Sequence, residues 1–122
     1  MTDTGLTMDK YQQEARKTAI YPRFESWSKD LPAAPLLYPA LKLAGEAGEV
    51  SEKIGKLFRD KGGALGENDR EDLVKELGDV LWYVANLAHE LGVGLGTVGE
   101  RNITKLRSRM ERGKLLGSGD DR

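Results

Sequence analysis

The sequence predicts an all-α, four-helix-bundle-like fold, and three observations support this prediction. Apolar residues recur three and four positions apart over most of the 122 residues, and strand-like alternation is nearly absent. Charged residues make up 32% of the chain and aromatic residues only 7%, a balance typical of helical proteins. Glycine and proline cluster where the periodic segments meet. We expect a single domain over residues 1–122, with flexible ends at about 1–7 and 114–122.

The first two predicted helices are bounded by local signals. The first runs from about Met8–Tyr21, with Thr7 as its N-cap, and a proline follows it directly. A long proline-containing connector leads to the second helix, predicted near Leu36–Lys61. Gly62 and Gly63 close this helix, because glycine readily adopts the left-handed conformation of a C-terminal cap.

Similar signals bound the third and fourth helices. Asn68, followed three residues later by Glu71, forms a predicted capping box at the start of the third helix. Gly92 ends that helix, and the segment GVGLG interrupts the chain. The fourth helix is predicted from about Thr97–Arg112, before Gly113.

Two pairs of carboxylates are the main candidates for a functional site. Glu46 and Glu49 lie in the second predicted helix, and Glu76 and Asp79 lie in the third. Because residues three apart share one face of a helix, packing the two helices together brings four carboxylates to one spot. Such a cluster needs a cation, and Mg²⁺, with Mn²⁺ as a substitute, suits carboxylate oxygens. A glycine inside each pair, in GEAGE and in ELGD, indicates close approach of another backbone or a ligand.

An apolar stripe runs one position after these polar residues on each helix and predicts the seam along which the helices pack. The stripe comprises Leu36, Ala40, Leu43, Ala47, Val50, Ile54 and Leu57 in the second helix, and Leu73, Leu77, Val80, Val84, Leu87 and Leu91 in the third. The carboxylate pairs therefore border the predicted seam. For acidic residues alone, a solvated helix face is the ordinary alternative.

Four more polar residues are candidates for binding the phosphates of a substrate. Lys53 lies one turn beyond Glu49, and Asn86 lies two turns beyond the acidic pair of the third helix. Lys105 and Arg109 form a basic edge on the fourth helix, where they can stabilise a phosphate. The alternatives are a helical ion pair for Lys53 and a solvated or locally bonded surface residue for the other three.

Composition excludes several classes of function. A formal net charge of −1 gives no electrostatic footprint for a nucleic-acid polymer. The absence of cysteine rules out thiolate zinc sites and disulfides and fits a reducing compartment. No apolar run reaches the length of a membrane span, and the N-terminal residues show no secretory signal. We therefore expect a cytoplasmic protein without a membrane partner.

The two acidic pairs resemble the ExxE…ExxD signature of the all-α nucleoside triphosphate pyrophosphohydrolases, the MazG-like group in particular. The segments LKLAGEAGEVSEKIGK, VKELGDVLWYVANLAHELGV and NITKLRSRMERG are similar as well, so that the resemblance covers residues 11–122. It implies a MazG-type helical fold that oligomerisation completes, as a homodimer or a homotetramer. It also implies Mg²⁺-dependent hydrolysis of (deoxy)nucleoside triphosphates to nucleoside monophosphate and pyrophosphate.

The resemblance assigns roles to the candidate residues. It implies that the two acidic pairs hold the metal, and Glu49 is the candidate for activating the attacking water. It matches Asn86, Lys105 and Arg109 to polar positions associated with substrate. Two alternatives to this function stay open at this point. In the first, the chain hydrolyses another nucleotide, such as dUTP or phosphoribosyl-ATP. In the second, it is a non-catalytic helical oligomerisation module.

Five residues have both a substrate interpretation and a structural alternative. Trp82 and Tyr83 suit core packing better than base stacking, because they occur at helical spacing in an apolar segment. Gln12 either contacts a base or faces the core. Asp120 and Arg122, in the GSGDDR ending, either close over a substrate or belong to a frayed terminus.

Overall fold

The computed structural model describes residues 2–122, which form four α-helices and one 3₁₀ helix. The α-helices are α1 (Met8–Arg16), α2 (Ala34–Lys61), α3 (Glu67–Glu90) and α4 (Leu95–Glu111). The 3₁₀ helix, Glu25–Trp27, lies in the connector between α1 and α2. No strand occurs in the described range, so the all-α prediction is confirmed. Over the same range, no helix is long and apolar enough to cross a membrane.

The third helix lies at the centre of the fold. α2 packs along α3, and α1 and α4 pack against α3 and against each other. Within residues 2–122, α2 touches α3 and the 3₁₀ helix but neither α1 nor α4. α3 therefore joins two parts, a long helical hairpin with α2 and a small three-helix core with α1 and α4.

The start of α1 is as predicted, but its end is not. The backbone N–H of Lys10 donates to Thr7 Oγ1 at 3.1 Å, which confirms Thr7 as the N-cap. The helix ends at Arg16, short of the predicted Tyr21. The hydroxyl of Thr18 donates to the Ala15 carbonyl at 3.0 Å and competes with the continuing helix for that acceptor.

The C-terminal cap of α2 is confirmed. Gly62 and Gly63 both have positive φ angles, 60° and 85°, in the left-handed region that favours glycine. The N–H of Gly63 donates to the Leu57 carbonyl at 3.0 Å and satisfies one of the free acceptors at the helix end.

The predicted capping box of α3 is wrong by two residues. The carboxylate of Asp69, rather than that of Glu71, reaches back and accepts a hydrogen bond from the backbone N–H of Gly66 at 2.9 Å. Asp69 also pairs with Lys61 Nζ at 2.7 Å, which ties the end of α2 to the start of α3. The helix therefore begins before the predicted N-cap Asn68, because a contact between helices adds to the local signal.

Contacts from α1 define the start of α4 at Leu95 instead of the predicted Thr97. Asp9 Oδ1 accepts from the N–H of Gly96 at 2.8 Å, and Gln12 Oε1 accepts from the N–H of Leu95 at 3.0 Å. The amide nitrogen of Gln12 donates to two further backbone carbonyls, so this buried side chain links three backbone groups. The core-facing interpretation of Gln12 is confirmed.

The buried core is small and lies where α1, α3 and α4 meet. Ala15, Ala85 and Leu95 are buried there, and Trp82 packs against them. The hydrogen bonds that tie α1 to α3 involve Ala85 and Asn86, in the C-terminal half of α3. In the N-terminal half of α3, Leu77 is 56% exposed.

The seam between α2 and α3 mixes apolar and polar side chains. Five residues of the predicted apolar stripe are exposed, namely Ala40, Ala47 and Ile54 of α2, Leu77 of α3 and Leu91, the residue that follows α3. The other stripe residues are half-buried, namely Leu36, Leu43, Val50 and Leu57 of α2 and Leu73, Val80, Val84 and Leu87 of α3. Glu46, Lys53 and Tyr83 are half-buried and Glu76 is buried. The stripe prediction is thus wrong at the exposed positions, because each helix buries part of its polar stripe in the seam together with part of its apolar stripe.

Candidate functional site

Three of the four predicted carboxylates converge at the seam between α2 and α3. Glu46 and Glu49 project from α2, and Glu76 projects from α3. One carboxylate oxygen from each residue lies within 4.8 Å of the other two. The three-residue spacing puts the two α2 carboxylates on one face, and the packing of α3 adds the third. We refer to Glu46, Glu49 and Glu76 as the acidic cluster.

The charges in the acidic cluster are unevenly balanced. Lys53 Nζ lies 2.9 Å from Glu76 Oε1, and this hydrogen-bonded pair holds the pKa of Glu76 below its ordinary value. The adjacent Glu76 carboxylate, which can share a proton with Glu49, and the negative charge of Glu46 raise the pKa of Glu49. One carboxylate is therefore compensated by a cation of the chain, and another holds its proton more readily than an ordinary glutamate.

The residues present suit a divalent cation. Glu76 Oε2 is buried and has no hydrogen-bond partner within residues 2–122. A buried carboxylate oxygen without a partner is costly, and a hard cation would satisfy it. Oxygen ligands from three carboxylates favour a cation such as Mg²⁺ or Mn²⁺ over metals that prefer nitrogen or sulfur. The donor set therefore fits the metal that the sequence pattern suggested.

Asp79, the fourth predicted carboxylate, borders a hollow next to the cluster. This open hollow, of about 380 Å³, is lined by Thr18, Glu46, Asp79, Trp82 and Tyr83. Trp82 Nε1 donates to Thr18 Oγ1 at 2.9 Å, which fixes the indole ring at one edge. Asp79 therefore shares the hollow with Glu46 but lies outside the close group of three oxygens.

Asn86 is fully buried, and both ends of its amide are engaged within the protein. Its Oδ1 accepts from Arg16 Nη1 at 2.9 Å, and its Nδ2 donates to the Trp82 carbonyl at 2.9 Å. The amide thus holds α1 against α3 near the hollow. Its predicted role as a substrate contact stays a prediction.

Sequence reasoning missed a polar network that continues from Asn86. Arg16 Nη1 also donates to the hydroxyl of Tyr21 at 3.0 Å, and that hydroxyl donates to Glu90 Oε2 at 2.6 Å. Arg23 binds Glu90 through two nitrogens, each at 2.9 Å. The only signal in the sequence was that Glu90 lies one helical turn beyond Asn86 on the same face.

The remaining two predicted substrate residues lie away from α2. Lys105 and Arg109 are on α4, and both contact Asp120 near the C-terminus. Arg109 is buried although it is charged. Within the described residues, α4 does not contact α2, which carries Glu46 and Glu49. The two cations of α4 are paired instead with Asp120 of the same chain.

The glycines of the acidic pairs face open space. A Cβ added to Gly45, Gly48 or Gly78 would meet nothing within 4 Å, apart from the backbone of its own helix. The close approach that these glycines suggested is therefore not made by another part of the described chain. Their flexibility costs helix stability, about 0.5–1 kcal/mol each relative to alanine, without a compensating contact within the monomer.

The helical fold and the acidic cluster at a helix seam define a class of α-helical proteins in which paired helices bring carboxylates together. Within this class, the chain belongs to the MazG family, since the family model of the MazG nucleotide pyrophosphohydrolase domain matches residues 38–113. The chain is also similar to the Gene 37 protein of Mycobacterium phage L5, with 48% identity over 117 residues, covering 96% of this chain and 100% of that protein. No solved structure gives a significant match. Family membership supports nucleotide pyrophosphohydrolase activity, and the name of the phage relative states no activity.

Proposed function

We propose that the chain hydrolyses (deoxy)nucleoside triphosphates to nucleoside monophosphate and pyrophosphate, with Mg²⁺ held by Glu46, Glu49, Glu76 and Asp79. One observation carries this proposal: in a chain of the MazG family, three carboxylates each place one oxygen within 4.8 Å of the others, and one of them, Glu76, has a buried oxygen without a hydrogen-bond partner within residues 2–122. The fourth ligand, Asp79, borders the adjacent hollow with Glu46. Mn²⁺ is expected to substitute for Mg²⁺, because it prefers similar oxygen ligands.

The chain's own residues divide the chemical work. When bound, the cation would neutralise the triphosphate and stabilise the charge that develops on it. We assign to Glu49, the exposed carboxylate of the acidic cluster, the acceptance of the proton from the attacking water. Lys53, partly exposed beside Glu76, offers an ammonium group to the leaving pyrophosphate.

The hollow beside the acidic cluster is where we place the nucleoside. Trp82 and Tyr83 form its aromatic wall, and their rings meet edge to face with centroids 4.9 Å apart. An aromatic wall next to carboxylates suits a nucleotide whose base packs on the ring while its phosphates meet the cation. The substrate panel should therefore contain all common (d)NTPs, with dUTP and phosphoribosyl-ATP as the two alternatives within this reaction class.

We also propose that the protein acts as a homodimer or homotetramer in the cytoplasm. Large apolar side chains are exposed in a stripe on each of α2 and α3. These stripes comprise Leu37, Leu41 and Phe58 of α2 and Val74, Leu77 and Leu81 of α3. Gly48 and Gly78 leave open space on the same surfaces, which would let another helix approach closely. Exposed apolar patches of this kind are typical of protein interfaces.

The test is pyrophosphate release from the substrate panel in Mg²⁺, with EDTA as the metal control. We compare the wild type with Glu76→Gln, which keeps the shape of the side chain and removes its charge. Glu71→Gln is the matched control, because Glu71 is an exposed glutamate of the same helix. We expect Glu76→Gln to lower turnover at least about 100-fold, the upper end of the loss caused by residues that only support metal ligands. Glu71→Gln should behave as the wild type.

A second readout separates binding from chemistry. Mg²⁺ should raise the thermal midpoint of the wild type and of Glu71→Gln, but not that of Glu76→Gln, because a cation that binds the folded state stabilises it. Full activity of folded Glu76→Gln in Mg²⁺ would refute the metal assignment. If no nucleotide on the panel is hydrolysed and Mg²⁺ does not stabilise the protein, the non-catalytic module becomes the better interpretation.

A further inference from the structure

The C-terminal segment, residues 114–122, folds back onto α4 and places a carboxylate on two cations. Asp120 Oδ1 lies 3.2 Å from Lys105 Nζ and 3.3 Å from Arg109 Nη2. Arg109 Nη2 also donates to the carbonyl of Asp120 at 2.7 Å and to that of Gly119 at 3.3 Å. Both α4 cations proposed to bind substrate phosphate thus already hold an anionic partner from the same chain.

The guanidinium of Arg109 is only partly used by this contact. The side chain is 5% exposed, and Nε is buried without a hydrogen-bond partner within residues 2–122. All the contacts with the tail are made by the single nitrogen Nη2. A guanidinium has five N–H groups arranged to bind an anion through two parallel hydrogen bonds. The buried nitrogen therefore indicates a site that a single exposed carboxylate does not saturate.

The tail is held in a way that permits release. Arg122 donates to the carbonyls of Lys114, Leu115 and Gly119, which closes the segment into a small loop. Residues 114–121 of this loop are exposed, Arg122 is half-buried, and the side chain of Asp120 is 85% exposed. The pair between Lys105 and Asp120 is weak, since both side chains are exposed and water and salt screen them. The 2.7 Å hydrogen bond from the nearly buried Arg109 to the Asp120 carbonyl is the main contact that release must break. Opening the loop exposes little additional apolar surface, because Leu115 and Leu116 are already exposed.

A phosphate group satisfies the same cations better than a carboxylate does. It carries more negative charge and three acceptor oxygens, and it can engage Arg109 through two nitrogens while Lys105 contacts a third oxygen. We propose that Asp120 is an intramolecular competitor that occupies the anion site formed by Lys105 and Arg109, and that a phosphate group of the nucleotide displaces it. This inference rests on the proposed function for its nucleotide substrate and on the sequence prediction that the two cations bind substrate phosphate. It assigns the C-terminal segment a regulatory role at that site.

The test compares Asp120→Asn with Asp121→Asn in the full chain. Both residues are exposed and adjacent, and both changes remove one negative charge, but only Asp120 contacts the cations. Binding of inorganic pyrophosphate is measured by titration calorimetry, and KM and kcat are measured with the substrate panel in Mg²⁺. We expect Asp120→Asn to lower the pyrophosphate Kd and KM about two- to fivefold, the range for releasing an exposed ion pair, with kcat unchanged. Asp121→Asn should leave both constants within about twofold of the wild type.

A double variant shows whether the effect passes through the cations. In a Lys105→Gln background, the change at position 120 should lose most of its effect, because one of its two partners is gone. The proposal is overturned if Asp120→Asn matches Asp121→Asn or if neither binds pyrophosphate. It is also overturned if Asp120→Asn weakens binding, since Asp120 would then close over the ligand. Tighter pyrophosphate binding by Asp120→Asn without hydrolysis of any nucleotide would refute the proposed function and retain the masked anion site.

Discussion

Replacing the buried glutamine of α1 should destabilise the protein far more than replacing its neighbour. Gln12 makes three hydrogen bonds to backbone groups, namely the carbonyls of Ala85 and Val93 and the N–H of Leu95, at 3.0, 3.1 and 3.0 Å. A protein hydrogen bond contributes about 1 kcal/mol net, and a buried group left without a partner costs about 1–3 kcal/mol. Gln12→Ala should therefore cost about 3 kcal/mol, a large share of the roughly 5–15 kcal/mol typical of a domain.

The assay is urea unfolding followed by far-ultraviolet circular dichroism at a fixed protein concentration. Gln13→Ala is the matched control, because Gln13 is the same residue type on the same helix but is exposed. The control should stay within about 0.5 kcal/mol of the wild type, as expected for a surface substitution. Equal unfolding free energies for the two variants would refute the claim that Gln12 joins α1, α3 and α4.

Two further predictions concern pH and assembly. Arg23 holds the pKa of Glu90 below its ordinary value of about 4.5. The ionised Glu90 should therefore stabilise the fold above about pH 4.5, and this stabilisation should be lost as the pH falls through the lowered pKa of Glu90 in the folded protein. In the Glu90→Gln variant, the free energy of unfolding should therefore fall less steeply between about pH 6 and pH 3 than in the wild type, as measured by urea titrations. In the control Glu71→Gln, which changes an exposed glutamate, it should fall as steeply with pH as in the wild type. Leu77→Asp should shift the protein to smaller species in sedimentation velocity, because the change puts a charge into the exposed apolar stripe. The control Lys75→Asp should leave the size of the species unchanged. A wild type that is already monomeric would contradict the assembly proposal.

The fold was predictable wherever short-range signals decide it. Thr7 caps α1 and Gly62 ends α2 as expected, because these caps depend on residues within one turn of each other. The end of α1 and the start of α3 depend on side chains from elsewhere. Lys61 reaches Asp69 across the loop, and contacts of this kind have no periodic signature in the sequence.

The same division applies to the candidate site. The carboxylates of one helix were predictable as pairs, because three-residue spacing alone puts Glu46 and Glu49 on one face. The surroundings of Asn86 were not, since its partner Arg16 is 70 residues away in the chain. The contact between Asp120 and Arg109 was likewise missed, because nothing in the spacing of a short terminal segment shows where it folds back.

The central position of α3 has a mechanical consequence. α2 contacts α3, the 3₁₀ helix and, through Tyr38, Tyr21 of the connector. A small tilt of α2 would therefore alter the spacing between Glu46 and Glu76 while leaving the core around Ala85 in place. Ions that bridge the two helices would restrict that tilt. Conversely, a partner that binds the outer surface of α2, near Leu41, would change the distances between the carboxylates.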